Sequence, residues 1–217
     1  MNRILNVTRL APEVYRMDVE APLIARERRP GQFIILQVDD DIGERIPLTI
    51  ADADQAHGAI TLIFQTVGKT THLLAEKRSG EMIAAVLGPL GQPTRIEKVG
   101  HVVCVGGGIG VAPLYPIAQA MKAAGNRVVV IIGGRSRPLV ILEEEMRRIA
   151  DELIIVTDDG SYGRKALVTE PLKECCGRSP APDCVVAIGP PVMMKCCAET
   201  TRPFGIKTLV SLNTIMI

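Results

Sequence analysis

The chain is 217 residues long, with 47% apolar residues and a formal net charge of +1. That length holds one or two domains of roughly 100–150 residues, each able to bury a full core. The balanced charge, the absence of like-charge blocks, and an aromatic set of three Tyr, three Phe and no Trp argue against nucleic acid as a partner.

No run of about 18 apolar residues is present, so no membrane partner is expected. Residues 1–12 lack the apolar core of a signal sequence, and a cytoplasmic location is the expectation. The six cysteines are Cys104, Cys175, Cys176, Cys184, Cys196 and Cys197. None form Cys-x-x-Cys, so structural thiols are expected and no metal site.

In chain order, residues 2–10 and 14–19 read as short strands around a turn at Pro12. Arg29, Pro30 and Gly31 punctuate, and residues 32–38 form a β-rich run. An acidic loop over residues 39–44 leads to residues 45–50, where Pro47 excludes a central ladder position. Residues 59–66 alternate as a strand, residues 68–77 read as the only helix of this half, and residues 80–87 as a further strand. Six short strands with turn signals predict a small closed barrel.

The character changes near residues 97–100, which places the boundary between a domain over residues 1–98 and one over 99–217. Strands are predicted at 101–105, 127–132, 153–157, 184–188 and 208–211, with helices at 112–124, 140–150, 166–173 and 191–201. Val/Ile-rich strands alternating with helices predict a parallel sheet covered on both faces. The fold class is thus a β-barrel plus α/β.

The stretch from Val103 to Pro113 carries the clearest chemistry. An apolar run stops at Gly106, Gly107, Gly108 and Gly110, and Val111, Ala112 and Pro113 open a helix. Glycine lets backbone approach a ligand, and the helix N–H groups face its negative charge. Gln65, Gly68, Lys69, Thr70 and Thr71, entering the first-half helix, make a second phosphate cradle without full Walker spacing. His72 reads as a satisfied residue rather than a base, and Glu143, Glu144 and Glu145 as surface charge at a helix start.

The order Arg-x-Pro-Leu-Thr (residues 45–49), Gly-Lys-x-Thr (68–71), Gly-Gly-Gly-Ile-Gly-x-Ala-Pro (106–113) and Gly-Pro-Pro-x-Met-Met (189–194) resembles the ferredoxin–NADP reductase superfamily. Within it, the chain is similar to the electron-transfer subunits of dihydroorotate dehydrogenase and of NADH-dependent ferredoxin:NADP oxidoreductase, also called sulfide dehydrogenase. Residues 157–163 and 205–213 are most similar to the latter group.

The resemblance implies an FAD-binding antiparallel barrel followed by a parallel-sheet nucleotide-binding domain. It implies FAD held by Arg45, whose fork suits a pyrophosphate, with Pro47 holding the segment extended and Leu48 in apolar contact where many relatives have Tyr. Thr49 is the catalytic candidate, its hydroxyl near flavin N5. The cradle at Gln65 and residues 68–71 would meet the flavin pyrophosphate. Gly107, Gly108, Gly110, Val111, Ala112 and Pro113 would hold the pyrophosphate of NAD or NADP.

Where an acid would bind the ribose diol of NAD, Arg135, Ser136 and Arg137 stand instead, which leans toward the 2′-phosphate of NADP. Asp158 would line the cofactor cleft in a turn. Gly189 and Pro190 would border the nicotinamide, with Ile188 where the superfamily has Cys, and Met193 and Met194 read as core. A two-iron two-sulfur cluster belongs to these subgroups, in a cysteine-rich segment past the equivalent of Ile217, so its ligands are not expected in this chain.

The implied function is a flavin-dependent oxidoreductase subunit passing hydride and electrons between NAD(P)H and an iron–sulfur partner or ferredoxin, with no acid–base residue required. A larger flavin and iron–sulfur subunit is the expected partner. The alternatives are a dihydroorotate dehydrogenase electron-transfer subunit, or a nucleotide-binding regulatory module without turnover.

Overall fold

A computed structural model describes residues 1–39 and 44–212. Most of the acidic loop at 39–44 and the end of the 205–213 motif lie outside the described residues. The chain divides into two compact units, Met1–Thr94 and Arg95 onward.

The first unit runs β1 (Asn2–Ala11), β2 (Val14–Glu20), α1 (Pro22–Glu27), β3 (Phe33–Gln37), β4 (Ile46–Asp54), β5 (Ala59–Gln65), α2 (Lys69–Glu76), β6 (Met82–Ile83) and β7 (Ala85–Leu90). Its sheet has the order β6-β1-β2-β5-β4-β3-β7, with antiparallel pairing throughout. β6 pairs with β1, and β7, one residue further on, pairs with β3. One segment interrupted at Ala84 therefore bridges both edges and nearly closes the barrel. Ile4, Met17, Ile34, Leu36, Ile50, Ile60, Leu62 and Leu74 fill it, each 1% exposed or less. Burial of each such side chain stabilises by about 1.5–3 kcal/mol.

Pro47 sits where β4 ladders only with β3; pairing of β4 with β5 begins at Ile50. A residue without an N–H fits that one-sided position. Residues 68–77 are not the only helix of this half. Pro22 opens α1 at its first turn, where a missing N–H costs nothing, and Ile24 and Ala25 bury against the barrel core. At six residues, α1 is too short to show a helical period.

The second unit continues with β8 (His101–Gly107), α3 (Val111–Ala123), β9 (Arg127–Gly134), α4 (Glu143–Ile149), β10 (Glu152–Thr157), β11 (Arg164–Lys165), α5 (Thr169–Cys176), β12 (Cys184–Ile188), α6 (Pro191–Thr201) and β13 (Lys207–Val210). The sheet is parallel, in the order β11-β10-β9-β8-β12-β13. Val102–Val105 and Val128–Ile132 are fully buried, as strands covered on both faces require.

Three local features depart from expectation. β8 does not stop at Val105, because Gly106 and Gly107 pair with Ile132 and Gly133 of β9. α4 begins at Glu143 rather than 140, because Leu142 takes a left-handed φ of 56° that breaks the helix there. The two-residue edge strand β11 carries no period to read. No helix among the described residues is long and apolar enough to cross a membrane.

Candidate nucleotide-binding sites

In the second unit the chain leaves β8 toward β9 on one side and pairs with β12 on the other. The carboxyl ends of β8 and β12 therefore form the switch point where open parallel sheets bind ligands. The pairing of Ile188 with Gly106 brings residues 106–110 and 189–190 together there, although some 80 residues separate them.

The glycines in this place do different work. Gly108 has φ +55° and open space where a Cβ would be, so its backbone is accessible to a ligand. Gly110 is buried, and a Cβ on it would strike the Ile188 carbonyl and Gly189 Cα, so it serves close packing of the turn on β12. A Cβ on Gly107 would strike the Met193 sulfur, which lies across Gly107 and Gly189. Val111 and Ala112 are each 1% exposed, so their side chains are core, and the Val111 N–H donates to the Gly108 carbonyl of the preceding turn. Pro113 is half-buried in the first turn of α3, Gly189 is half-buried and Pro190 is exposed. Of the methionines read as core, Met194 is buried and Met193 forms the floor of the glycine turn.

One strand over, β9 is followed by Arg135, Ser136 and Arg137. Both arginines are exposed and neither pairs with a carboxylate among the described residues. The turn after β10 closes on this segment. The Asp158 and Asp159 N–H groups donate to the Gly134 and Arg135 carbonyls at 3.0 and 3.2 Å. Asp159 Oδ1 accepts from the Ser161 N–H and hydroxyl at 2.9 and 2.7 Å, which holds its carboxyl below the ordinary range. Asp158 is exposed, with no side-chain partner among the described residues.

Glu143 is more than surface charge. Its Oε1 accepts from the Tyr162 hydroxyl at 2.9 Å and from Arg147 Nη2 at 2.6 Å. The Arg137 guanidinium carbon lies 5.2 Å from the centre of the Tyr162 ring. No spacing rule joins Glu143 to Tyr162; only an aromatic inside an otherwise small, polar turn hinted at it.

In the first unit, Ile46, Leu48 and Ile50 face the barrel core. Leu48 is thus committed in part to core packing, and strand alternation puts Pro47 and Thr49 on the other face. The Thr49 hydroxyl has no hydrogen-bond partner among the described residues. Arg45 is exposed and makes one hydrogen bond among the described residues, Nε to Gln37 Oε1 at 3.3 Å, in which its terminal nitrogens take no part.

At the start of α2, Thr71 Oγ1 accepts from the Val67 and Gly68 N–H groups at 3.1 and 3.0 Å and donates to the Gly68 carbonyl at 2.9 Å. The cap is therefore Thr71, whose hydroxyl is spent on the turn, while Thr70 is buried. The remaining first-turn N–H groups, those of Lys69, Thr70 and Thr71, have no intrahelical acceptor, and nothing lies within 4 Å of where a Gly68 Cβ would be. Lys69 is exposed, and Gln65 closes β5 half-buried. His72 Nδ1 lies 2.8 Å from the Gly68 carbonyl, a local bond within the first turn of α2. An exposed cradle of N–H donors fits a diphosphate such as that of FAD.

The cysteines do not fit an iron–sulfur cluster. Five are buried, and burial pushes the Cys104 and Cys197 thiols up to about 12. No three His, Cys, Asp or Glu side chains converge to hold a metal among the described residues.

A nearly closed antiparallel barrel followed by a parallel nucleotide-type sheet defines an oxidoreductase of ferredoxin–NADP-reductase-like fold. Residues 104–199 match the family model of the oxidoreductase NAD-binding domain. The chain is 42% identical, over 217 residues, to the dihydroorotate dehydrogenase B (NAD(+)) electron transfer subunit homolog of Thermotoga maritima, covering all of this chain and 76% of that protein. It is 34% identical over 172 residues to the dihydroorotate dehydrogenase B (NAD(+)) electron transfer subunit of Bacillus cereus, covering 77% and 66%.

Among solved structures, that of an NADH-dependent reduced ferredoxin–NADP oxidoreductase superposes with TM-score 0.92 at 41% identity, covering 100% of this chain and 78% of that one. A cytochrome P450 reductase from Amycolatopsis shares the fold alone, at TM-score 0.74 and 20% identity over 96% and 68% of the two chains. The chain belongs to the family of dihydroorotate dehydrogenase electron-transfer subunits and their homologues.

Proposed function

We propose that this chain is the flavin-bearing electron-transfer subunit of a larger oxidoreductase, taking reducing equivalents from a nicotinamide dinucleotide. What carries the reading is the switch point of the parallel sheet. There an open Gly108 backbone and the N-terminus of α3, beside the Gly189 turn, stand one strand away from two arginines that pair with no carboxylate among the described residues. Bound FAD supplies the interchange between two-electron donors and one-electron carriers.

The chain's own residues bind and orient. Arg45 and the N–H groups of residues 69–71 hold the flavin pyrophosphate, and the unpartnered Thr49 hydroxyl faces the flavin ring. Residues 107–113, with Gly189 and Pro190, hold the dinucleotide, and Asp158 borders it. The barrel unit is the flavin domain and the parallel-sheet unit the NAD(P) domain. A larger subunit receives the electrons, directly or through ferredoxin, as the names of the relatives suggest for those proteins. Six unpaired cysteines fit a reducing, cytoplasmic setting.

The choice of dinucleotide is NADP(H), because Arg135, Ser136 and Arg137 stand where a ribose-binding acid would be. A second reading, NAD(H), draws on the relatives named for NAD(+). Absorbance of the purified protein tests the flavin: a colourless protein that FAD does not reconstitute overturns the proposal. Arg45→Ala is expected to lose flavin, and stoichiometric FAD in that variant removes Arg45 from the site. Arg135→Ala is expected to weaken NADPH more than NADH, by roughly tenfold for a lost charge-assisted contact. Equal weakening favours NAD(H).

A further inference from the structure

Gly107 and Gly189 are glycines for a reason that their backbones do not supply. Gly107 has φ −121° and ψ 124°, an extended conformation open to any residue, and Gly189 takes no left-handed φ. Neither opens space for a ligand by lacking a side chain, as Gly108 does. A Cβ on Gly107 would strike the Met193 sulfur. One on Gly189 would lie 2.6 Å from the Met193 Cε and 2.9 Å from its sulfur. Two side chains at the carboxyl ends of β8 and β12 are therefore given up to one thioether.

Met193 stands in the first turn of α6, half-buried between the exposed Val192 and the buried Met194. It packs against the core cluster that holds Val103, Val105, Val185 and Ala187, and its sulfur lies across the two glycines. The turns it spans already meet backbone to backbone. A Cβ on Gly189 would come within 3.2 Å of the Gly107 nitrogen, and one on Gly110 would strike the Ile188 carbonyl. Alanine at both glycines would fill the same space with methyl groups fixed to the strands. A thioether on three rotatable bonds fills it and can follow the backbone on either side.

We propose that Met193 is a positioning residue of the dinucleotide site, its thioether holding the 106–110 turn and the Gly189 turn in register and following them when a dinucleotide binds. This rests on the reading of the second unit as a nicotinamide dinucleotide site. Met193 acts through Gly107 and Gly189, and through them on the open backbone of Gly108, rather than on the dinucleotide directly.

The test uses the full chain, with dissociation constants for NADH and NADPH read by calorimetric titration and the melting temperature of each variant beside them. Met193→Ala is expected to weaken whichever dinucleotide the wild type binds by roughly tenfold, the worth of one well-placed hydrogen bond. Met194→Ala, buried and one residue on, is expected to lower the melting temperature and leave the dissociation constant unchanged. Gly107→Ala/Met193→Ala puts a methyl close to where the sulfur lay and is expected to recover most of the affinity, a rescue that a general loss of packing would not produce. In the unaltered protein, isotopically labelled at its methionine methyl groups, the Met193 resonance, assigned by its loss in Met193→Leu, is expected to move when the dinucleotide is added. Wild-type affinity in Met193→Ala, equal weakening by Met194→Ala, no recovery in the double variant, or an unmoved resonance overturns the role of Met193 and leaves the dinucleotide site standing. Binding of neither nucleotide by the wild type overturns the dinucleotide site itself, and this role with it.

Discussion

Gly107 and Gly110 lie three residues apart in one turn, yet a methyl group at each meets different matter. At Gly110 the obstacle is the backbone of Ile188 and Gly189, which cannot withdraw without disturbing β12. Gly110→Ala is expected to cost roughly 3 kcal/mol or more in urea denaturation. At Gly107 the obstacle is the end of a flexible methionine. Gly107→Ala is expected to cost about 1 kcal/mol, recovered in part by adding Met193→Ala, since a thioether can turn aside where a carbonyl cannot. A denaturation midpoint that falls equally in the two single variants contradicts this division of labour. The glycine cluster itself was legible from the residues as a turn between a strand and a helix. Which glycine stays open and which serves packing was not, because that depends on Ile188, Gly189 and Met193 arriving from the far end of the unit.

Among the elements, α2 shows how a short helix is specified. Its entrance depends on Thr71, whose hydroxyl gathers two N–H groups and the Gly68 carbonyl. Thr71→Ala is expected to lower stability by about 1 kcal/mol, the ordinary worth of a helix cap, while Thr71→Ser retains most of it. Thermal melting of the two variants checks this, and equal melting temperatures would contradict the capping role. A phosphate cradle is the expectation that Gly68, Lys69, Thr70 and Thr71 raise, but the assignment of their hydroxyls was not readable, since Thr70 is buried and Thr71 closes the turn. Likewise α1 escaped a periodicity reading because six residues hold less than two turns.

At the scale of the whole molecule, acid is expected to act on the second unit through groups at the amino-terminal ends of its strands, opposite the nucleotide end. His101 begins β8, 5% exposed, with neither ring nitrogen hydrogen-bonded among the described residues. Burial, and then the Arg127 charge, hold its pKa below the ordinary 6.5. As pH falls below about 6.5 the unfolded chain takes up a proton that the folded one refuses, so stability falls until the depressed folded value is passed. Asp151, held below its ordinary range by Lys122 at 2.6 Å and by the Val128 N–H at 2.8 Å, withdraws stability at lower pH, as protonation reaches its folded value. His101→Phe is therefore expected to flatten the pH dependence of the urea midpoint just below pH 6.5 and to leave the more acidic part unchanged; the same slope in both proteins would refute it.

The alternation of strands and helices, the barrel followed by a parallel sheet, and the two glycine-bearing turns were determined by the sequence alone, because hydrophobic period and turn residues act within a few positions along the chain. The near-closure of the barrel through β6 and β7, the placing of Leu48 in the core, and the meeting of Glu143, Tyr162 and Arg137 were decided only by tertiary structure. Each is a contact between segments that packing, not spacing, brings together.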